Sequence, residues 1–211
     1  MNRRYIVWDF ETTGIPSRSP GLVRPVEVGI TIFDGQFEAH ESHSLRMRPD
    51  VWVRGWQHAE RVHGITRASL ERPDVPGMAQ AFEAFSRTLR ESMETGMLSQ
   101  ADEFFSLAWN AAFDSEVLRL WIRAARGEDD SDLARWPDAP IGPFIAPAGC
   151  LQAMYREWTK TQTGFTTPRY GSLRSACESL GLAWDEKSAH GAVYDAHAAG
   201  RVAHAILSRA A

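Results

Sequence analysis

Apolar residues run without a break through Tyr5, Ile6, Val7 and Trp8, so the span Arg4–Asp9 predicts a buried strand. Val26–Phe33 predicts a second strand. Asp34-Gly35 is a strong hairpin-turn signal, leading to a third strand from Gln36 to about Met47. Gly55–His63 reads as a short helix. Val75–Met93 places Met78, Phe82, Phe85 and Leu89 at helical spacing and predicts a longer amphipathic helix. Phe104–Trp109 is a further apolar strand. It is followed by a helix at Asp114–Ala125 that turns Val117, Leu118, Trp121 and Ile122 inward and Arg119, Arg123 and Arg126 to another face. Helices at about Cys150–Trp158, Ser172–Leu180 and Tyr194–Ser208 complete the chain. Strands first, then helices mixed with strands, indicate an α/β domain with a mixed sheet.

Length narrows this picture. A chain of 211 residues, 44% of them apolar, fits one domain over 1–211 that buries roughly 70% of its unfolded surface. Gly127–Pro147 holds acids, four prolines and two glycines, and reads as a loop insertion within that domain. A pro-rich loop also follows the first strand, from Gly14 to Pro25. Cys150 and Cys177 lie far apart with no CxxC, which excludes a zinc ribbon or a disulfide scaffold and suits reduced thiols in a cytoplasmic protein. The N-terminus turns acidic after four apolar residues, too few for a signal-peptide core, and no apolar run approaches the ~20 residues that span a bilayer.

Charge excludes one class of partner binding. With 23 Lys+Arg against 27 Asp+Glu the net charge is −4, unlike a domain that coats nucleic acid by bulk electrostatics, although a local groove is compatible with it. Of the 23 cations, 21 are Arg, as an Arg- and Ala-favouring genome or a set of phosphate-binding forks would each produce.

Three segments carry chemistry. Asp9-Phe10-Glu11 ends the first strand, and residues i and i+2 of a strand point to one side. Two adjacent carboxylates repel unless a cation lies between them, and Mg²⁺ prefers such oxygen ligands. A pair of solvated strand-end acids has the same spacing. Asp114, in Asn110-Ala111-Ala112-Phe113-Asp114, stands where a strand gives way to a helix, where Asp also serves as a simple N-cap. Asp195, in His190-Gly191-Ala192-Val193-Tyr194-Asp195, enters the last helix in the same way, and the neutral imidazole of His190 beside carboxylates is suited to deprotonating water.

DFETTG, NAAFD and HGAVYD, in this order and spacing, resemble the three motifs of the DnaQ-like DEDDh exonuclease family. The resemblance covers nearly the whole chain. Val62-His63-Gly64-Ile65-Thr66 is similar to the segment that members carry between the first two motifs. Ser172–Leu182 and His190–Arg201 look like the C-terminal parts of the ribonuclease T and polymerase III epsilon members. Histidine five residues before the last aspartate marks the h subtype; the tyrosine subtype would place Tyr at the position of Gly191. Trp109 departs from the family, which often has His there.

The resemblance implies a ribonuclease-H-like fold with a mixed five-stranded sheet flanked by helices. It implies that Asp9, Glu11, Asp114 and Asp195 bind two Mg²⁺ ions, with Mn²⁺ as a substitute, and that His190 takes the proton from the attacking water. The implied activity is 3′→5′ removal of nucleoside 5′-monophosphates. By resemblance Thr12 lies near the terminal 3′-hydroxyl and base, Val62 and His63 flank the last nucleotides, and Asn110 and Phe113 line the cleft. Core packing of Phe113 and a structural His63 are the plain alternatives. Single-stranded DNA or frayed ends are the expected substrate. RNA 3′ ends are the rival, and an inactive nucleic-acid-binding adaptor is the third reading, one that predicts a missing acid or histidine where all five positions are filled. A homodimer is left open by the ribonuclease T likeness, and no membrane partner is expected.

Overall fold

The computed structural model describes residues 3–94, 103–127, 149–164 and 171–210. Positions 128–147 of the expected loop insertion lie outside them. The elements run β1 (Arg3–Thr12), β2 (Pro25–Phe33), β3 (Ala39–Arg46), α1 (Gln57–His63), α2 (Arg67–Leu70), α3 (Met78–Glu94), β4 (Glu103–Ala108), α4 (Ala111–Arg126), β5 (Gly149–Cys150), α5 (Leu151–Thr163), α6 (Leu173–Leu180) and α7 (Ala192–Ala210).

The five strands form one sheet in the order β3-β2-β1-β4-β5. β2 is antiparallel to both β1 and β3, whereas β1–β4 and β4–β5 are parallel. The mixed five-stranded sheet matches the expected class.

Alternation along β1 divides its side chains between two cores. Ile6, Trp8 and Phe10 join Val28, Ile30 and Ile32 of β2 beneath α3 and α4, where Phe82, Phe85 and Trp121 complete the packing. Trp121 meets the Phe82 ring edge-on at 5.4 Å and donates its indole N–H to the Met78 carbonyl at 3.1 Å, so its polar tip is satisfied in the core. Val7, Phe33 and Leu107 face the other way, into a core closed by α5, α6 and α7. By parity Asp9 and Glu11 share the Val7 face, the side that α7 covers. All nine residues of β2 are buried, as a strand covered on both faces requires.

Several boundaries differ from expectation. The turn after β2 is not the tight Asp34-Gly35 hairpin with a strand from Gln36; it runs through residues 34–38, and β3 begins at Ala39. Asp34 Oδ1 accepts the N–H groups of Gln36 and Glu38 at 2.8 and 2.9 Å, and Phe37 takes φ +60° to stack its ring on Tyr5 at 4.1 Å. Core burial of Phe37 outweighs the two-residue turn. α4 begins at Ala111 with Asn110 at its N-cap, so Asp114 stands in the first turn and is not the cap. α5 continues to Thr163 and stops at left-handed Gly164. α2, capped by Thr66 Oγ1 on the Ser69 N–H at 3.1 Å, and the two-residue β5 carry too few residues for a periodic signal.

Candidate active site

The parallel strands β1 and β4 both finish at one end of the sheet, the edge where open α/β sheets leave a crevice for ligands. β1 brings Asp9 and Glu11 there, with a register shift between Glu11 and Thr12 that bends the strand out of the ladder. β4 delivers the chain to the start of α4, which places Asp114 in its first turn. α7 supplies Asp195, also one turn in, and His190 stands just before it with φ +60°. A non-glycine residue in the left-handed region is uncommon and clusters at functional sites. The turn that carries it is held by Asp185, which accepts from Lys187 N–H and Ser188 Oγ at 3.0 and 2.7 Å.

Glu11, His190 and Asp195 each offer a ligand atom, and these atoms lie within 4.8 Å of one another. The charges of Asp9 and Asp114 act on the same cluster. Burial and then repulsion from Glu11, Asp114, Asp195 and Glu27 hold Asp9 well above the usual carboxylate range. Burial, followed by the charges of Asp195, Glu27 and Asp114, pushes Glu11 up to about 9. Burial raises Asp114 to about 8 against the pull of backbone N–H groups, that of Phe10 among them, and raises Asp195 to about 6 against the opposing charge of His190. Asp114 Oδ1 and Asp195 Oδ1 are buried with no hydrogen-bond partner among the described residues. Crowded acids with orphaned oxygens and an adjacent imidazole fit a hard divalent cation, which would satisfy those lone pairs and restore ionisation. The N-termini of α4 and α7 both meet this cluster, adding partial positive charge where anions would sit.

A cleft of about 460 Å³ opens over the acids, and Asp9, Glu11, Thr12, His190 and Asp195 line it together with Val62, His63 and Phe113. Val62 is exposed there. Thr12 is buried and donates its hydroxyl to the Gly14 carbonyl at 2.6 Å. His63 is fully engaged: Nε2 donates to the Thr12 carbonyl at 3.2 Å and Nδ1 accepts from Ile65 N–H at 3.0 Å. Those two bonds assign its tautomer, and burial lowers its pKa, so the cleft meets the face of a neutral ring. Asn110 stands apart, lining an adjoining cavity of about 1010 Å³ that shares Ile15, Arg18 and Phe113 with the first.

Sequence reasoning marked the loop after β1 but missed the cleft arginines and Glu27. The 13–24 loop forms one cleft wall, closed at its base by Thr13 N–H on the Arg24 carbonyl at 2.9 Å and Arg24 N–H on Thr13 Oγ1 at 3.0 Å. It carries exposed Arg18; exposed Arg54 lines the same cleft, and neither side chain is hydrogen-bonded or ion-paired among the described residues. Glu27 is buried opposite Glu11, and a lone charge inside an otherwise apolar strand was the signal that could have found it. The Arg119, Arg123 and Arg126 face is partly engaged, since Arg119 pairs with Glu116 at 2.6 Å and Arg126 lies over Phe82 at 5.7 Å.

No protein-family model matches the chain. A ribonuclease T from Hahella chejuensis is 27% identical over 205 residues, which covers 97% of this chain and 83% of that protein. A PolC-type DNA polymerase III from Thermotoga petrophila is 29% identical over 182 residues, 86% of this chain but 10% of the polymerase. Among solved structures, a zinc-bound complex of E. coli ExoI with single-stranded DNA superposes with TM-score 0.68 at 20% identity over 99% of this chain and 41% of that one. The nuclease domain of 3′hExo, a DEDDh family member bound to rAMP, superposes with TM-score 0.67 at 18% identity over 98% and 92% of the two chains. The chain thus spans a tenth of the polymerase and about two-fifths of the ExoI chain. In fold and in its motif set the chain is similar to these nucleases.

Proposed function

We propose that the chain is a divalent-metal-dependent 3′→5′ exonuclease that releases nucleoside 5′-monophosphates from single-stranded DNA or frayed 3′ ends. The observation that carries this reading is the meeting of Glu11, His190 and Asp195 within 4.8 Å, in the field of Asp9 and Asp114, on the floor of an open cleft. Asp9, Glu11, Asp114 and Asp195 would hold two Mg²⁺ or Mn²⁺ ions. When bound, such ions activate a water and stabilise the charge on a departing 3′ oxygen.

The chain's own groups do the rest. His190 takes the proton of the attacking water, and its exposure leaves it free to pass that proton to solvent. The bond from phosphorus to the penultimate 3′ oxygen breaks, leaving a shortened strand with a 3′-hydroxyl. Val62, Phe113 and the ring face of His63 cover the terminal nucleoside, with Thr12 beside its 3′-hydroxyl, and such apolar contact tolerates any base. Asn110 and the adjoining cavity lie where the preceding nucleotides leave the cleft. Arg18 and Arg54 meet their phosphates.

RNA 3′ ends are the second reading, favoured by likeness to a ribonuclease T over 97% of the chain. The two unpaired cysteines, Cys150 and Cys177, suit a reducing cytoplasm, and no helix among the described residues is long and apolar enough to cross a membrane.

The test offers 5′-labelled single-stranded DNA, RNA and mismatched duplex with Mg²⁺, beside an Asp9→Ala control. The expected outcome is a ladder on single-stranded DNA that chelation and the control both abolish. A ladder on RNA alone moves the assignment to the second reading, and no shortening of any substrate refutes the enzyme.

A further inference from the structure

Glu27 belongs to none of the motifs, yet its carboxylate joins three elements around the cleft. It lies on β2 directly across from Glu11, 6% exposed. Its Oε1 accepts from Ser44 Oγ at 3.0 Å and Arg46 Nε at 3.1 Å, both on β3. Its Oε2 accepts the backbone N–H of Ala192, the first residue of α7, at 3.1 Å. The first four N–H groups of a helix have no intrahelical acceptor, so Glu27 caps α7 from a different strand. His190 lies two residues before that cap, and Asp195 three residues after it.

A second contact falls on the same face of β2. A Cβ on Gly29 would stand 2.2 Å from the Ala192 carbonyl carbon and 2.3 Å from the Val193 nitrogen, so the first turn of α7 rests on bare strand backbone. Glu27 and Gly29, at i and i+2, give α7 a tether and a seat. Their partners on β1 are Glu11 and Asp9.

We propose that Glu27 is a positioning residue, fixing the start of α7 and with it His190 and Asp195 against Asp9 and Glu11. Arg46 and Ser44 orient the carboxylate so that one oxygen faces the helix. The Arg46 guanidinium also offsets a buried negative charge that would otherwise stand unpaired beside Glu11. The effect on turnover rests on the exonuclease reading; the ordering of the helix start does not.

Glu27→Gln separates shape from chemistry. The amide has one oxygen, so facing it to Ala192 N–H turns its NH₂ toward the donors of Ser44 and Arg46. Amide hydrogen exchange over residues 188–196 of the whole protein is the direct readout, taken with and without Mn²⁺. Exchange at Ala192 and the rest of the first turn should rise about tenfold or more, with α3 and α4 unchanged. In the active enzyme kcat should fall on the order of 10²-fold with KM within about threefold, because displacement of reacting groups costs rate more than binding. Arg46→Gln, at a side chain 56% exposed, should move both readouts the same way by less, and it decides the matter where Glu27→Gln does not fold. Unchanged exchange at Ala192–Asp195, or a raised KM with kcat intact, overturns the proposal. Should the unaltered protein cleave nothing, the exonuclease reading fails and the exchange measurement still judges Glu27.

Discussion

Asp9, Glu11 and Asp195 line one cleft with Asp114 buried against it, their charges repel, and burial makes each harder to ionise. The consequence for stability has a definite sign. Glu11 at about 9, Asp114 at about 8 and Asp195 at about 6 are all raised over ordinary carboxylates, so between about pH 4 and pH 9 the folded state holds protons that the unfolded chain has lost. Stability therefore falls as pH rises through that window. A divalent ion replaces those protons, binds more tightly as pH rises and reverses the loss. Melting temperature in chelator should decline from about pH 5.5 to pH 8.5 and recover with Mg²⁺ or Mn²⁺, most at the alkaline end; a flat profile in chelator would refute the crowding. His190 gives the complementary test. Its ring shares the cluster with Glu11 and Asp195, so it could ligate or accept a proton. If it is the base, His190→Ala lowers turnover by roughly 10²–10⁴-fold while Mn²⁺ titration still fills the site. Loss of ion binding in that variant would make it a ligand instead.

At the scale of elements, the site depends on where two helices begin. α4 and α7 each bring an aspartate in at the fourth residue, and α7 can lie this close to β2 only because Gly29 has no side chain. Gly29→Ala should cost stability on the order of 1–3 kcal/mol, the usual penalty of overpacking, and push α7 off its seat. Thermal melts and exchange across Ala192–Asp195 read the two effects, and a variant that melts like the parent would show that the helix is not seated there. Much of this was legible beforehand. β1 was visible as an unbroken apolar run, β2 as a stretch of Val, Ile and Phe, and α4 as a stripe of Val117, Leu118, Trp121 and Ile122. What was hidden depended on long-range partners. Phe37 pulled the β2–β3 turn wider by stacking on Tyr5, a contact no local pattern encodes. Glu27 went unremarked because its donor, the Ala192 N–H, lies 165 positions away. Asp9, Glu11, Asp114, His190 and Asp195 stood out by type and spacing, each with a plain alternative beside it, and their roles came from the resemblance. Thr12, Val62, His63, Phe113 and Asn110 were expected only by resemblance, and the engagement of both His63 nitrogens by backbone depends on a fold that brings residue 63 to residue 12.

For the whole molecule the proposed function raises the problem of how a chain of net charge −4 would attract a polyanion. Two bound divalent ions would add four positive charges, bringing the sum near zero and concentrating the gain inside the cleft. Of the cations that line the cleft, Arg18 and Arg54 have side chains with neither hydrogen bonds nor ion pairs among the described residues, leaving them available for phosphate. Binding should then be local and only weakly salt-dependent, in contrast to a basic coat. For single strands each neutralised phosphate contributes about 0.7 to the slope of log affinity against log salt, so two arginines predict a slope of about −1.4. Anisotropy with labelled single-stranded DNA, the His190→Ala variant and saturating divalent ion would measure it. Removing Arg18 or Arg54 should flatten the slope by about 0.7 each and weaken binding equally for every sequence, since phosphate contacts carry no base information. Withdrawing the ion should abolish measurable binding at moderate salt, because the acids then face the strand uncompensated. A slope several times steeper would place the strand on another surface, with the Arg119–Arg126 face the first to mutate.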